Sequence, residues 1–170
     1  MLDKQNLVEH WRSEYAQKGI PSSFREEPSG SVVEFASFLE SHNVRHGSAL
    51  DLGCGRGRNS VFLAEQGFDV SSIDFVPDMI EALQQQSEVL GLADRVHAYC
   101  QSVTEPWPFP PQMFDVAIDA FCYKHQVVAA GKAVYRRELA RVMKSGSFYL
   151  LTLAGLDDGY YGPLLASSPA

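Results

Sequence analysis

Apolar residues recur along this chain at two alternating periods, one helical and one strand-like. Leu7, Trp11 and Tyr15 stand four residues apart, on one face of a helix predicted over 3–18 that Gly19 stops. A polar, proline-containing stretch follows over 20–30. Ser31 and Glu34 have capping-box spacing, so the next helix is predicted to open there and to bury Val32, Phe35, Ala36 and Leu39. From residue 48 the pattern becomes strand, turn, helix, and repeats. Residues 49–52 form a short apolar strand ending in a glycine-rich turn, and 59–66 a helix with Val61, Phe62 and Ala64 inside and Gly67 as its stop. Residues 68–73 are a second strand. Pro77 then sits where a first helical residue is favoured, and its helix is predicted to run to about Leu90, turning Ile80, Leu83 and Leu90 to the core. Val96, Ala98 and Cys100 alternate as a third strand, four prolines exclude regular structure over 105–111, and 114–119 is a fourth strand. A helix is predicted over 133–143, ended by Lys144-Ser145-Gly146. The apolar run 148–153 is expected of a strand covered on both faces.

Strands alternating with helices imply right-handed βαβ units. The fold class is therefore α/β: a doubly wound, mostly parallel Rossmann-like sheet with helices on both faces. Ligands of such sheets bind beyond the carboxyl ends of the strands, where strand order reverses. The chain divides into N-terminal helices with a candidate lid over 1–44, a core over 45–154, and an irregular tail over 155–170.

Composition narrows the partners. A length of 170 residues with 45% hydrophobic content suits one globular domain. A net charge of -7 argues against tight nonspecific nucleic-acid binding, which needs clustered cations. Arg136, Arg137 and Arg141 share one predicted helix and read as a solvated face. Cys54, Cys100 and Cys122 are far apart, without a CxxC pair, which points to a reducing compartment rather than disulfides or zinc. The N-terminus has no signal-peptide apolar region, and no stretch reaches the ~18 apolar residues of a membrane span. The expected location is cytoplasmic, with no metal, membrane or nucleic-acid partner.

Candidate chemistry lies just after the strands. Asp51-Leu52-Gly53-Cys54-Gly55-Arg56-Gly57 sets three alternate glycines in a turn free of β-carbons, so a ligand can lie on bare backbone, with Asn59 following in the helix. Amides at the helix start favour an anion, while nearby carbonyls and Asp51 favour a cation; a zwitterionic amino-acid group suits both. A dinucleotide G-x-G-x-x-G turn would need its third glycine at position 58, which is Arg58. Asp74, 21 positions after Gly53 and followed by Phe75, can accept hydrogen bonds from a ribose diol or cap the next helix. Gln101, Ser102 and Val103 can meet the edge and face of an adenine, or be an ordinary strand end. Asp119 and Ala120 open the segment that should border the reacting group. There His125 is a candidate proton acceptor, Tyr123 is ambiguous and Cys122 reads as a packing residue.

Over about residues 45–154 this set resembles the class I S-adenosylmethionine-dependent methyltransferases. The resemblance implies that the D-L-G-x-G-x-G turn holds the methionine part of the cofactor and Asp74 its ribose. Gln101 stands where the family often has Asp near the adenine amino group, and Ser145 where Pro is usual before strand five. Gly57-Arg58-Asn59-Ser60, Leu63-Ala64 and Gly67-Phe68-Asp69-Val70, with the Trp11, Tyr15, Gly19 spacing, look like the tellurite-resistance and thiopurine-type small-molecule branch. The implied activity is in-line transfer of a methyl group from S-adenosyl-L-methionine to a small-molecule acceptor. The implied cofactor-binding residues are Asp51, Gly53, Cys54, Gly55, Arg56, Gly57, Asn59, Asp74, Phe75, Gln101, Ser102, Val103, Asp119 and Ala120. A nicotinamide-dependent oxidoreductase and a noncatalytic cofactor-binding module remain as rivals. The family sheet normally closes with a C-terminal antiparallel hairpin. None is readable after Leu153, so a missing C-terminal part is expected. Trp11, Tyr15, Phe24 and Arg25 are candidate lid residues.

Overall fold

The computed structural model describes residues 4–17, 25–126, 128–155, 157 and 159. In chain order the elements are α1 (Lys4–Gln17), α2 (Gly30–Ser41), β1 (Gly47–Leu52), α3 (Arg58–Glu65), β2 (Phe68–Asp74), α4 (Pro77–Val89), β3 (Val96–Cys100), β4 (Phe114–Ala120), a 3-10 turn (Tyr123–His125), α5 (Ala129–Val142) and β5 (Met143–Thr152). The strands form one sheet in the order β3-β2-β1-β4-β5. Every pairing is parallel, with Leu50 of β1 opposite Ser71 of β2 on one side and Ala117 of β4 on the other. Strand order reverses between β1 and β4, so the carboxyl ends of β1, β2 and β4 frame one crevice.

Two apolar layers sandwich the sheet, as the alternation of side chains along each strand requires. On one face, Val32 and Leu39 of α2, Leu63 and Ala64 of α3 and Leu83 of α4 pack on Ala49, Val70 and Val116. On the other, Tyr135 and Val142 of α5 join Trp107 and Phe109 against Leu50, Leu52, Ile73 and Ala117. The proline-rich segment between β3 and β4 thus stands where a covering helix would. Arg141 braces it by donating to the carbonyls of Phe109 (2.6 Å) and Trp107 (3.1 Å) while pairing with the buried Glu138 at 2.6 Å. Arg136 donates to the Tyr123 hydroxyl at 3.0 Å and Arg137 pairs with Glu138. Arg141 therefore serves as a brace, while Arg136 and Arg137 remain exposed on the solvated face expected of them, each with one partner.

Several sequence expectations are corrected. The Ser31–Glu34 capping box does not form: α2 starts at Gly30 after Ser29, and Ser31 Oγ meets Thr152 Oγ1 instead, at 3.1 Å. Leu63 is the fully buried apolar residue of α3 beside Val61 and Ala64, with Phe62 only partly buried against the same layer, and Leu90 is half exposed because α4 has ended before it. α5 starts four residues earlier than expected and β5 five. Lys144-Ser145-Gly146 is an irregularity within β5, where the register with β4 shifts between Phe114 and Val116, and not a turn before it. Among the described residues β5 lies at the edge of the sheet; Phe148 and Leu150 pack into one apolar layer and Met143 and Tyr149 into the other, so both faces are covered as expected, though only in part, with Leu151 37% exposed. Phe24, and the tail on which the hairpin expectation turns, lie outside the described residues.

Candidate active site

At the switch point the strand ends open into a cavity of about 610 Å³. The glycine turn forms one wall, 74–76 and 101–105 line the next two, 120–126 lies opposite, and Leu7, Trp11 and Tyr15 of α1 cover it. Gly53, Cys54, Gly55, Arg56, Asn59, Asp74, Phe75, Gln101, Ser102, Val103, Ala120 and His125 all line this cavity. The structure thus brings together residues from four separate strand ends. Asp51, Gly57 and Asp119 do not line it; they stand behind its wall, buried.

Glycine is required at the turn. Gly53, Gly55 and Gly57 have φ of 70°, 54° and 83°, the left-handed region that side chains disfavour. A β-carbon would stand 2.6 Å from Cys122 Cβ at Gly53, 2.8 Å from the Tyr15 hydroxyl at Gly55, and 2.1 Å from Leu83 Cδ1 at Gly57. Each glycine therefore admits a different neighbour: the segment after β4, α1, and α4. The close helix packing that a dinucleotide fold assigns to its third glycine falls here to Gly57, leaving position 58 free to be arginine.

The amides of the turn are used internally. Gly53 and Cys54 donate to the Ile73 carbonyl at 2.9 and 3.0 Å, and Gly57 to that of Cys54 at 2.9 Å. Gly55 donates to Asp74 Oδ2 at 2.9 Å. These four amides are thus already paired; the amides at the start of α3 itself, from Arg58 on, where an anion is expected, are not among them. Asp74 also accepts from Val76 at 2.9 Å, so the carboxylate ties the turn to the start of α4 while facing the cavity. The ribose and helix-cap readings of Asp74 are compatible, because each carboxylate oxygen retains acceptor capacity.

Three buried carboxyls gather at the ends of β1, β2 and β4. Burial lifts Asp51 to about 7, against a hydrogen bond from Ser60 at 2.7 Å and with help from the charges of Asp119 and Asp74. Burial likewise raises Asp74 and Asp119 above the usual carboxylate range. Asp119 accepts from the amides of Cys122 (2.7 Å) and Tyr123 (2.9 Å) and from the Tyr135 hydroxyl (2.6 Å), which in turn meets Tyr149 at 3.0 Å. These bonds hold a turn in which Phe121 has φ 75°, rare for a bulky side chain. No sequence signal linked Asp119 to Tyr135 or Tyr149.

His125 is the one imidazole in the wall. Trp11 meets it edge-on at 4.8 Å, and burial, with the charges of Lys124 and His10, lowers it to about 4. Its ring is neutral near pH 7, as a proton acceptor must be. Burial pushes the Cys122 thiol up, in keeping with a packing role. Outside the cavity, Arg12 of α1 forks onto Asp78 of α4 with bonds of 2.6 and 2.9 Å. Arg58, singled out in the sequence only as a non-glycine, donates to the Glu27 carbonyl (2.9 Å) and Ser29 Oγ (3.0 Å), while Asn59 accepts from the Ser29 amide at 2.9 Å.

The profile of the family described as a methyltransferase domain matches residues 49–146. The chain belongs to this family. Its methyltransferase domain is 31% identical over 108 residues to YqeM of Bacillus subtilis, named as a methyltransferase, a match covering 61% of this chain and 42% of that one. It is 41% identical over 59 residues to TehB of Haemophilus influenzae, named as an S-adenosyl-L-methionine-dependent methyltransferase, covering 35% and 19% of the two chains. The chain spans less than half the length of these curated relatives. Among solved structures, 1,6-didemethyltoxoflavin-N1-methyltransferase of Burkholderia thailandensis superposes with a TM-score of 0.65 at 24% identity, covering 85% of this chain and 60% of that one. The likeness is one of fold, and it bears out the doubly wound, parallel reading. Methyltransferase family membership also sets aside the nicotinamide-dependent oxidoreductase.

Proposed function

We propose that this chain is the cofactor-binding core of an S-adenosyl-L-methionine-dependent methyltransferase acting on a small-molecule acceptor. One observation carries the reading. The bare backbone of Gly53 and Gly55 and the carboxylate of Asp74 face one cavity, with three buried carboxyls at the ends of adjacent strands. That is a concave, glycine-floored site with carboxyls at its deep end and arginines along its lining, suited to an adenosyl compound that carries both a cationic and an anionic group. The toxoflavin methyltransferase, whose structure holds its substrate and S-adenosylhomocysteine, supports the same reading.

Bound there, the cofactor supplies a methyl group already activated by a sulfonium. Asp74 would take the ribose hydroxyls, and Gly53 to Gly55 with Arg56 and Asn59 would carry the amino-acid tail. Phe75, Gln101, Ser102 and Val103 would border the adenine, with Ala120 beside the reacting group. Asp51, Gly57 and Asp119 would act from behind, by charge and by packing. The remaining task of the chain is to orient the acceptor and exclude water, which supplies roughly 7–11 kcal/mol in well-oriented cases. Trp11 and Tyr15 close the cavity, and neutral His125 can accept a proton from an acceptor hydroxyl or amine. The three free, separated cysteines accord with a cytoplasmic location, and no described helix is long and apolar enough to cross a membrane.

Calorimetric titration tests the reading: S-adenosylhomocysteine should bind and NADH should not. Asp74→Ala should lower the S-adenosylhomocysteine affinity about 10-fold or more, as expected for loss of hydrogen bonds to a charged group. A chain that binds no adenosyl compound would refute the proposal. A panel of thiols, oxyanions and amines, scored by S-adenosylhomocysteine release, then separates an enzyme from a noncatalytic cofactor-binding module.

A further inference from the structure

We propose that Arg25 is the residue that binds the carboxylate of the cofactor's methionine end. The inference rests on the reading above and adds to it the group that meets the cofactor's one anion. Four amides of the glycine turn, those of Gly53, Cys54, Gly55 and Gly57, already donate within the protein, which leaves few there for an anion. The nearby buried carboxyls, Asp51 and Asp74, repel an anion. A side-chain cation at this end of the cavity would offset that repulsion.

Three arginines line the cavity: Arg25, Arg56 and Arg58. Both outer nitrogens of Arg58 are engaged by Glu27 and Ser29, and Asn59 holds the Ser29 amide, so the first residues of α3 clamp the segment 27–29. The clamp fixes the chain two residues beyond Arg25 and brings the Arg25 charge against that of Arg58, whose own proton affinity is lowered by burial and by this neighbour. Among the described residues no carboxylate pairs with Arg25, although the chain has 21 Asp and Glu against 14 Lys and Arg. Two adjacent guanidiniums in an acidic protein, one of them structural, make a site that a bound carboxylate completes. Arg25 can meet it with a two-pronged hydrogen bond, and the exposed Arg56 at the tip of the turn adds to the same field.

The experiment compares two ligands that differ only in the amino-acid tail. S-adenosylhomocysteine carries the carboxylate; 5′-methylthioadenosine keeps the adenosyl part and lacks it. Calorimetry is run on the full chain and on Arg25→Gln and Arg25→Lys. Arg25 is exposed, so neither change empties the core. Arg25→Gln should weaken S-adenosylhomocysteine about 10- to 100-fold and leave 5′-methylthioadenosine within about twofold, with Arg25→Lys in between. An unchanged affinity for S-adenosylhomocysteine, or an equal loss for both ligands, would overturn the assignment. Failure of the unmodified chain to bind either ligand would overturn the functional reading, and this assignment with it.

Discussion

Gly57 is where the ligand turn and the core meet. An alanine there suffers twice: its backbone sits at φ 83°, disfavoured by roughly 1–2 kcal/mol, and its β-carbon would collide with fully buried Leu83, a repacking cost of about 1–3 kcal/mol. Gly57→Ala should therefore lower stability by roughly 2–5 kcal/mol in urea unfolding. Gly55→Ala meets only the hydroxyl end of Tyr15, which can swing aside, so it should cost about 1–2 kcal/mol and show mainly in cofactor affinity. Equal losses at the two sites would mean that the Leu83 contact is not limiting. The two glycines look alike in sequence, and their partners at positions 15 and 83 do not show. That difference marks what was legible. Gly53, Gly55 and Asp74 could be read because a strand end and its turn are local. The clamp of Arg58 on 27–29 and the Asp119–Tyr135 bond join segments with no pattern in common.

Among the elements, α1 lines the cavity with Leu7, Trp11 and Tyr15. Its grip combines the Arg12–Asp78 fork, the Tyr15 hydroxyl against Gly55 and the Trp11 ring edge-on to His125. The fork is exposed and therefore screened by salt, so the aromatic contacts should dominate. Removing residues 1–17, which spares Arg25 and its clamp, should weaken S-adenosylhomocysteine binding about 10-fold, the scale of burying one or two aromatic side chains. An unchanged calorimetric affinity would make α1 a packing element and not a lid. The apolar spacing of α1 was plain in the sequence, whereas the starts of α5 and β5 were not. α5 begins after Val128 with no side-chain cap, so nothing polar announces it. β5 contains Lys144-Ser145-Gly146, with Gly146 at φ 76°, and an irregular strand with such residues reads as a turn.

For the molecule as a whole, the carboxyls beneath the site and the imidazole in its wall pull stability in opposite directions with pH. Asp51 ionises at about 7 when folded against an ordinary 3.8, so folding takes up a proton between those values. Its contribution is full below about pH 4 and is lost as pH rises towards 7. His125 runs the other way. Lowered to about 4 from 6.5, it contributes fully above pH 6.5 and less as pH falls. The two largely offset each other between about pH 4 and 6.5, so the unmodified chain should show a shallow profile that hides both. Differences between variants expose them. Asp51→Asn, which can still accept from Ser60, should gain stability relative to the parent from pH 5 to 7.5. His125→Gln should gain as pH falls from 7 to 5, by about 1 kcal/mol once solvent screening of a partly exposed ring is allowed for. Urea midpoints at each pH measure both, and parallel curves would show that neither group is perturbed by the fold. The same carboxyls tie stability to the ligand. A sulfonium offsets their repulsion, so binding should release a proton from Asp51, and S-adenosylmethionine should bind more tightly at pH 8 than at pH 6. S-adenosylhomocysteine lacks the sulfonium and should depend on pH less. If the two compounds share one pH profile, the carboxyls do not sense the charge that the proposed reaction consumes.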